Sequence, residues 1–208
     1  MARKIDSKIV AYRVVPPESA PAPIQMHETV IRPERLTGTT YKLKTPQHVC
    51  EHSLFITIND MVLNEGSEHE IRRPFEIFIN TKSLEHHQWI VALTRIISAV
   101  FRKGGDVTFL VEELRSVFDP KGGYWDHGRY VPSLIAGIGN VIETHLIEIG
   151  MLASPETDSA QKAYLAEKYD AATGFPPSAS LCPKCHYQAL VLQDGCMTCL
   201  NCGDSKCG

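Results

Sequence analysis

Residues 54–101 read LFITINDMVLNEGSEHEIRRPFEIFINTKSLEHHQWIVALTRIISAVF, and the hydrophobic period changes within them. In Leu54–Ile58, Leu54, Ile56 and Ile58 point one way while Phe55 and Thr57 point the other, the alternation of a half-buried strand. Phe75–Ile79 repeats it with Phe75, Ile77 and Ile79, and the polar NEGSEHEIRR (64–73) reads as the hairpin connection. From Leu84 to Phe101 the spacing becomes helical: Trp89/Ile90, Leu93, Ile96/Ile97 and Val100/Phe101 recur every three or four residues. Ser83 is placed to cap this helix and Gly104-Gly105 to end it.

On the N-terminal side, Tyr41–Thr45 adds a short strand. On the C-terminal side, a second helix is expected over Val107–Phe118, stopped by Asp119-Pro120 and Gly122-Gly123. A third starts near Pro132 and continues through Leu134, Ile138, Val141, Ile142, Leu146 and Ile149 to Gly150. Sheet first and helices after predicts an α+β fold, a small antiparallel sheet packed with three helices.

Four segments follow: an N-terminal arm (1–38), the α+β domain (39–150), a short helix and linker (151–181) and a cysteine-rich tail (182–208). The arm contains a possible strand at Ile5–Val15 and the proline-rich PPESAPAP (16–23), which favours extended chain. Between domain and tail, a helical stretch at Ser159–Tyr169 precedes the breaker-rich AATGFPPSAS, a composition suited to a tether.

Of 208 residues, 43 % are hydrophobic and 22 % charged, which excludes a wholly disordered chain and a coiled coil. No apolar run reaches the roughly 18 residues that span a bilayer, and the start is a poor signal peptide, so a cytoplasmic protein without a membrane partner is expected. The net charge of −3 is the sum of +4 over residues 1–48, −5 over 49–150, −2 over 151–181 and zero beyond. No segment has the dense basic character of a nucleic-acid footprint.

Six of the seven cysteines lie in the tail LCPKCHYQALVLQDGCMTCLNCGDSKCG (181–208). One tight cluster in a cytoplasmic chain points to metal binding or thiol chemistry. Cys182-x2-Cys185 and Cys196-x2-Cys199 have near zinc-ribbon spacing, with Ala189–Leu192 between them as hairpin strand. Zinc would supply the folding energy that so small a module cannot draw from a core. Cys202 and Cys207 then remain as a C-x4-C pair among small residues, with Lys206 favouring thiolate. The C-x2-C steps at 196, 199 and 202 overlap, so spacing alone equally allows Cys202 to replace Cys196 or Cys199 as a ligand.

Two blocks carry a family resemblance. The tail CPKC…GCMTCLNCGDSKCG resembles the C-terminal tail of adenosylcobalamin-dependent (class II) ribonucleotide reductases. The block from RPERLTGTTYKLKTP to RYVPSLIAGIGNVIETHL, including RRPFEIFINTKSLEHHQWIVALTRIISAVFRKGGDVTFLVEELRSVFDPKGGYW, resembles the domain before that tail. Together they cover about residues 30–208. The catalytic barrel of those enzymes, which holds the radical cysteine, adenosylcobalamin and substrate sites, has no room in residues 1–38. The resemblance therefore implies the small partner of a split reductase, or a fragment, with residues 39–150 docking to the catalytic barrel subunit. It implies that Cys202 and Cys207 pass electrons from thioredoxin to the barrel's disulfide during reduction of ribonucleoside diphosphates. It also implies that Cys182, Cys185, Cys196 and Cys199 hold zinc, and that the linker lets the tail swing.

The rival expectation is a zinc-ribbon module that binds nucleic acid or regulates another protein; the neutral tail disfavours nucleic acid. Other candidates have plainer readings. Cys50-x-His52 lacks a second ligand pair and is expected to be buried or idle, His86-His87 to serve in capping or solvent contact, and Glu112-Glu113 to form an exposed helix face. Asp119–Arg129, DPKGGYWDHGR, fits no phosphate-binding fingerprint and is a loop that could meet a partner.

Overall fold

The computed structural model describes residues 22–27, 29–153, 174–193 and 195–207. The expected strand at Ile5–Val15, most of PPESAPAP and the helix at Ser159–Tyr169 lie outside the described residues.

Strands β1 (Thr37–Leu43), β2 (Leu54–Leu63) and β3 (Ile71–Asn80) form an antiparallel sheet in the order β1-β2-β3. Leu54, Ile56 and Ile58 are fully buried, as their alternation predicts. β2 and β3 run farther than expected, β1 begins before the expected Tyr41–Thr45 and ends at Leu43, and between Asn59 and Asp60 the register slips by one residue. The extra residue lies on β3, where Phe75 has no partner between Pro74 and Glu76. Asp60 continues the buried alternation of Leu54, Ile56 and Ile58, while Met61 is buried with Phe75 in a separate cluster.

Helix α1 (His87–Lys103) runs along β3. Its Ser98 covers the open sheet edge: Ile77 N–H donates to Ser98 Oγ at 3.0 Å, and the hydroxyl donates to Ile77 C=O at 3.4 Å. Ser83 does not cap this helix; it starts three residues later than that cap requires, after His86, with no side-chain cap. Arg102 and Lys103 suit its C-terminal dipole.

Helix α2 (Phe109–Arg115) packs on α3 (Leu134–Glu148), which lies across β1 and β2. Ser133 caps α3, accepting from Ala136 N–H at 3.0 Å while donating to Val117 C=O at 2.7 Å. Ile138, Ile142 and Leu146 bury one face of it, and Gly139 allows α2 to approach, since a Cβ there would meet Leu114 at 3.0 Å.

A buried polar chain ties this helix to the sheet. The fully buried Asp60 meets His145 Nε2 at 2.8 Å and accepts from Arg72 Nε at 2.9 Å. His145 Nδ1 is 2.9 Å from Tyr41 Oη, which donates to Glu148 at 2.6 Å. Strand alternation puts Asp60 on the same face as Leu54, Ile56 and Ile58, in line with α3.

The loop expected at 119–129 contains half of a hairpin, β4 (Tyr124–Asp126) with β5 (Arg129–Val131). His127 and Gly128 have φ of 46° and 78°, the two positive values of a type I′ turn. The described part of the arm lies against the domain: Met26 is buried with Met61, Leu63 and Phe75, Asn64 pairs with both backbone groups of Ile24, and Arg32 grips Glu76.

The tail forms a second sheet, β6 (Ser180–Leu181), β7 (Gln188–Gln193), β8 (Cys196–Cys199) and β9 (Ser205–Cys207), in that order and antiparallel throughout. It begins before residue 182, because Ala179 is buried in its small core and the Phe175 ring meets Tyr187 edge-on. Among the described residues, three helices, small antiparallel sheets and a zinc-ribbon-like tail make the expected α+β arrangement. Among the described residues no helix is long and apolar enough to cross a membrane.

Candidate metal and thiol centre

Two copies of one turn build the centre. In the first, Cys182-Pro-Lys-Cys185-His186, His186 N–H donates to Cys182 C=O at 2.9 Å and Cys182 N–H to Tyr187 C=O at 2.8 Å. In the second, Cys199-Leu-Asn-Cys202-Gly203, Gly203 N–H donates to Cys199 C=O at 3.0 Å and Cys199 N–H to Asp204 C=O at 2.8 Å. The residue after each second cysteine is left-handed, His186 at φ 60° and Gly203 at φ 73°. Lys184 and Asp204 link the two turns at 3.3 Å.

The sulfurs of Cys182, Cys185, Cys199 and Cys202 lie within 4.8 Å of one another. Cys185 and Cys199 are 3.6 Å apart, Cys182 and Cys202 3.9 Å. A tetrahedron with ~2.3 Å zinc–sulfur bonds has edges of about 3.8 Å. Four convergent thiols at that spacing, three of them buried, therefore fit a zinc ion without rearrangement. The thiol of Cys199, donating to Cys185, holds Cys185 well below the ordinary thiol range, while burial pushes Cys202 above it.

Cys196 is not in this set. It stands three residues up β8 from Cys199, about 10 Å along a strand. Its cross-strand partner is Cys207, and the two form a disulfide. The structure thus exchanges Cys196 and Cys202 between the expected groups: Cys182, Cys185 and Cys199 stay together, Cys202 completes them, and Cys196 pairs with Cys207. The reason lies in the turns. In both metal turns the residue after the second cysteine has positive φ, a conformation that Gly203 after Cys202 adopts freely and that would strain Leu200 after Cys199. That glycine was the available signal.

The remaining candidates are separate. Cys50 is buried and donates to the carbonyl of His52 at 3.2 Å. His86 sits at the start of α1, and Glu112 and Glu113 are exposed on α2.

The ribbon rests on the domain at its first turn. Tyr130 N–H donates to His186 C=O at 2.7 Å, and Gln188 N–H to Gly128 C=O at 2.9 Å. The Arg129 guanidinium lies over the Tyr187 ring, 5.1 Å from its centre, and Arg115 donates to Cys185 C=O at 3.3 Å. These contacts hold the ribbon's first turn against the domain, and residues 154–173 of the expected linker segment lie outside the described residues.

Fold and site together define an α+β domain bearing a docked four-thiol ribbon with a separate disulfide. The family model of the TSCPD domain matches residues 22–146, and the chain belongs to that family. The domain is found at the C-terminus of class II ribonucleotide reductases, which links the chain to ribonucleotide reductase, a redox enzyme. No curated protein and no solved structure matches it. The match spans the segment from the Met26 plug into α3 and stops before the ribbon, so the ribbon's chemistry rests on its own geometry.

Proposed function

We propose that this chain is the non-barrel subunit of a cytoplasmic, adenosylcobalamin-dependent ribonucleoside-diphosphate reductase. It docks to the catalytic barrel chain, which holds the adenosylcobalamin, and carries electrons from thioredoxin to that chain's active-site disulfide. The observation behind this reading is the division of six tail cysteines into a four-thiol cluster and a disulfide at the ribbon's far end. Cys182, Cys185, Cys199 and Cys202 would hold zinc, which supplies folding energy and no redox chemistry. Cys196 and Cys207 are then free to cycle.

In the reduced pair, Cys207 is the attacking thiol, because it is exposed whereas Cys196 is half-buried. Its thiolate bonds to one sulfur of the barrel disulfide and breaks that S–S bond, leaving the second sulfur as a thiolate that takes a proton. Cys196 then attacks Cys207, closes the Cys196–Cys207 disulfide and releases the first barrel sulfur as a thiol. Two electrons and two protons pass to the barrel, and thioredoxin returns them to the tail pair. On the domain, Trp89 and Ile96 are exposed two turns apart on α1 and supply an apolar row for docking.

The test is reconstitution with the barrel chain and zinc analysis of three variants. C196S and C207S should keep one zinc and lose thioredoxin-driven multiple turnover, while a small dithiol that reaches the barrel disulfide restores it. C202S should lose the zinc. Undiminished thioredoxin-driven turnover in C207S would sink the relay.

A further inference from the structure

The face that receives the ribbon carries more positive charge than it neutralises. Arg115 of α2 and Arg129 of β5 keep only 14 % and 12 % of their side chains exposed, and both pair with one carboxylate, Glu143 of α3, at 2.7 and 3.2 Å. Glu112, the other acidic residue of this groove of about 890 Å³, is exposed. Lys184 at its rim is already paired with Asp204. One cation of the arginine pair is therefore uncompensated at a half-dry interface, a costly arrangement unless an anion faces it. Burial lowers the pKa of Arg115 and Arg129 lowers it further, as expected of two cations crowded together.

What faces them is the metal turn. Arg115 bonds the carbonyl of Cys185, a thiol of the cluster, and Cys185 and Cys202 line the same groove. Four thiolates around one divalent ion carry a net charge of −2, more than enough to face the one arginine that Glu143 leaves uncompensated.

We propose that the charge of the loaded zinc site holds the ribbon on the domain, with Arg115 and Arg129 as the positioning residues that sense it. Loading locks the first turn against β5 and α2, so the tail presents its Cys196–Cys207 end from a fixed base. Loss of the ion releases the whole ribbon, not only its turns. This rests on the zinc reading above and is independent of the relay.

The test compares the full chain loaded with zinc and stripped by a chelator, following amide exchange at Tyr130. This N–H belongs to the domain, yet bonds the ribbon's His186. Stripping should speed its exchange by about tenfold or more while amides of β2 stay protected. Competition with a chromophoric chelator then measures zinc affinity in variants. R115Q should weaken it by about tenfold, the scale seen for residues that support metal ligands, and R115K, which keeps the charge, should recover most of the loss. Failure to take up zinc would overturn both the zinc reading and this one. Zinc uptake with Tyr130 exchange the same in both states overturns this one alone, as does an R115Q chain that binds zinc like the wild type, or an R115K chain no better than R115Q.

Discussion

The domain and the ribbon bury cysteine and hydrocarbon in opposite proportions. The domain's main core joins Leu54, Ile56, Ile58, Ile97, Phe101, Ile138, Ile142 and Leu146, and its one cysteine, Cys50, is a small filler. The ribbon's core is seven buried residues, of which Cys182, Cys185 and Cys199 are three and two more are alanines. Each fully buried Ile or Leu contributes about 1.5–3 kcal/mol, so the domain is held by transfer free energy. The ribbon has too little apolar surface for that and depends on metal coordination. One chain therefore holds two modules with different failure modes.

Cysteine replacement should give the sharpest break. Cys199→Ser removes one of four ligands, and the ribbon should lose its zinc and its β7–β8 amide protection entirely while the far-ultraviolet signal of the helices persists. Cys196→Ser, three residues away, should leave zinc content at one per chain. Next in size is the reverse experiment. Ile56→Ala leaves a cavity under α3 and should destabilise the domain by about 2–5 kcal/mol in denaturant unfolding, with zinc affinity unchanged wherever the domain stays folded. Asp60→Ala should cost a comparable ~3 kcal/mol, because it leaves Arg72 and His145 without their shared carboxylate. If Ile56→Ala also expelled zinc from folded chains, the modules would not be separate.

Sequence periodicity found the domain because its signal is repeated. Leu54, Ile56 and Ile58 alternate, the α1 row recurs over four turns, and each period has one meaning in a half-buried element. It missed what depends on single residues. The bulge at Phe75 adds one residue to β3 without changing composition, and the Asp60–His145 pairing joins residues 85 apart, so neither has a local signature. The β4–β5 hairpin was legible in the dipeptide His127-Gly128, but three-residue strands give alternation nothing to act on. In the ribbon, two C-x2-C steps that share Cys199 make ligand choice degenerate, and only the left-handed position at Gly203 breaks the tie.

The two metal turns sharpen the comparison at smaller scale. A side chain at φ near +60° costs roughly 1–2 kcal/mol, which Gly203 avoids and His186 does not. Gly203→Ala meets no neighbouring atom, so its whole effect is backbone strain. Zinc affinity in competition titrations should fall about tenfold. His186→Gly should move it the other way, by less, because the glycine chain is also more mobile when unfolded.

Acid separates the modules with the least perturbation. Arg32, bonded through two nitrogens to the buried Glu76, holds that carboxyl below its ordinary 4.5, and Asn59 adds to the effect. A depressed carboxylate stabilises the fold fully above its unfolded value, and the contribution fades as pH falls through the lower, folded one. Ribbon stability is instead lost as protons displace zinc from the thiolates. Acidification should therefore give two events, zinc release and domain unfolding, read by a zinc dye and by near-ultraviolet dichroism. Arg32→Met removes the partner that depresses Glu76, so domain unfolding should begin at slightly higher pH while the zinc-release curve stays where it was. A joint shift of both curves would mean that the strap at Arg32 supports the ribbon as well, and the division into two independently held modules would fail.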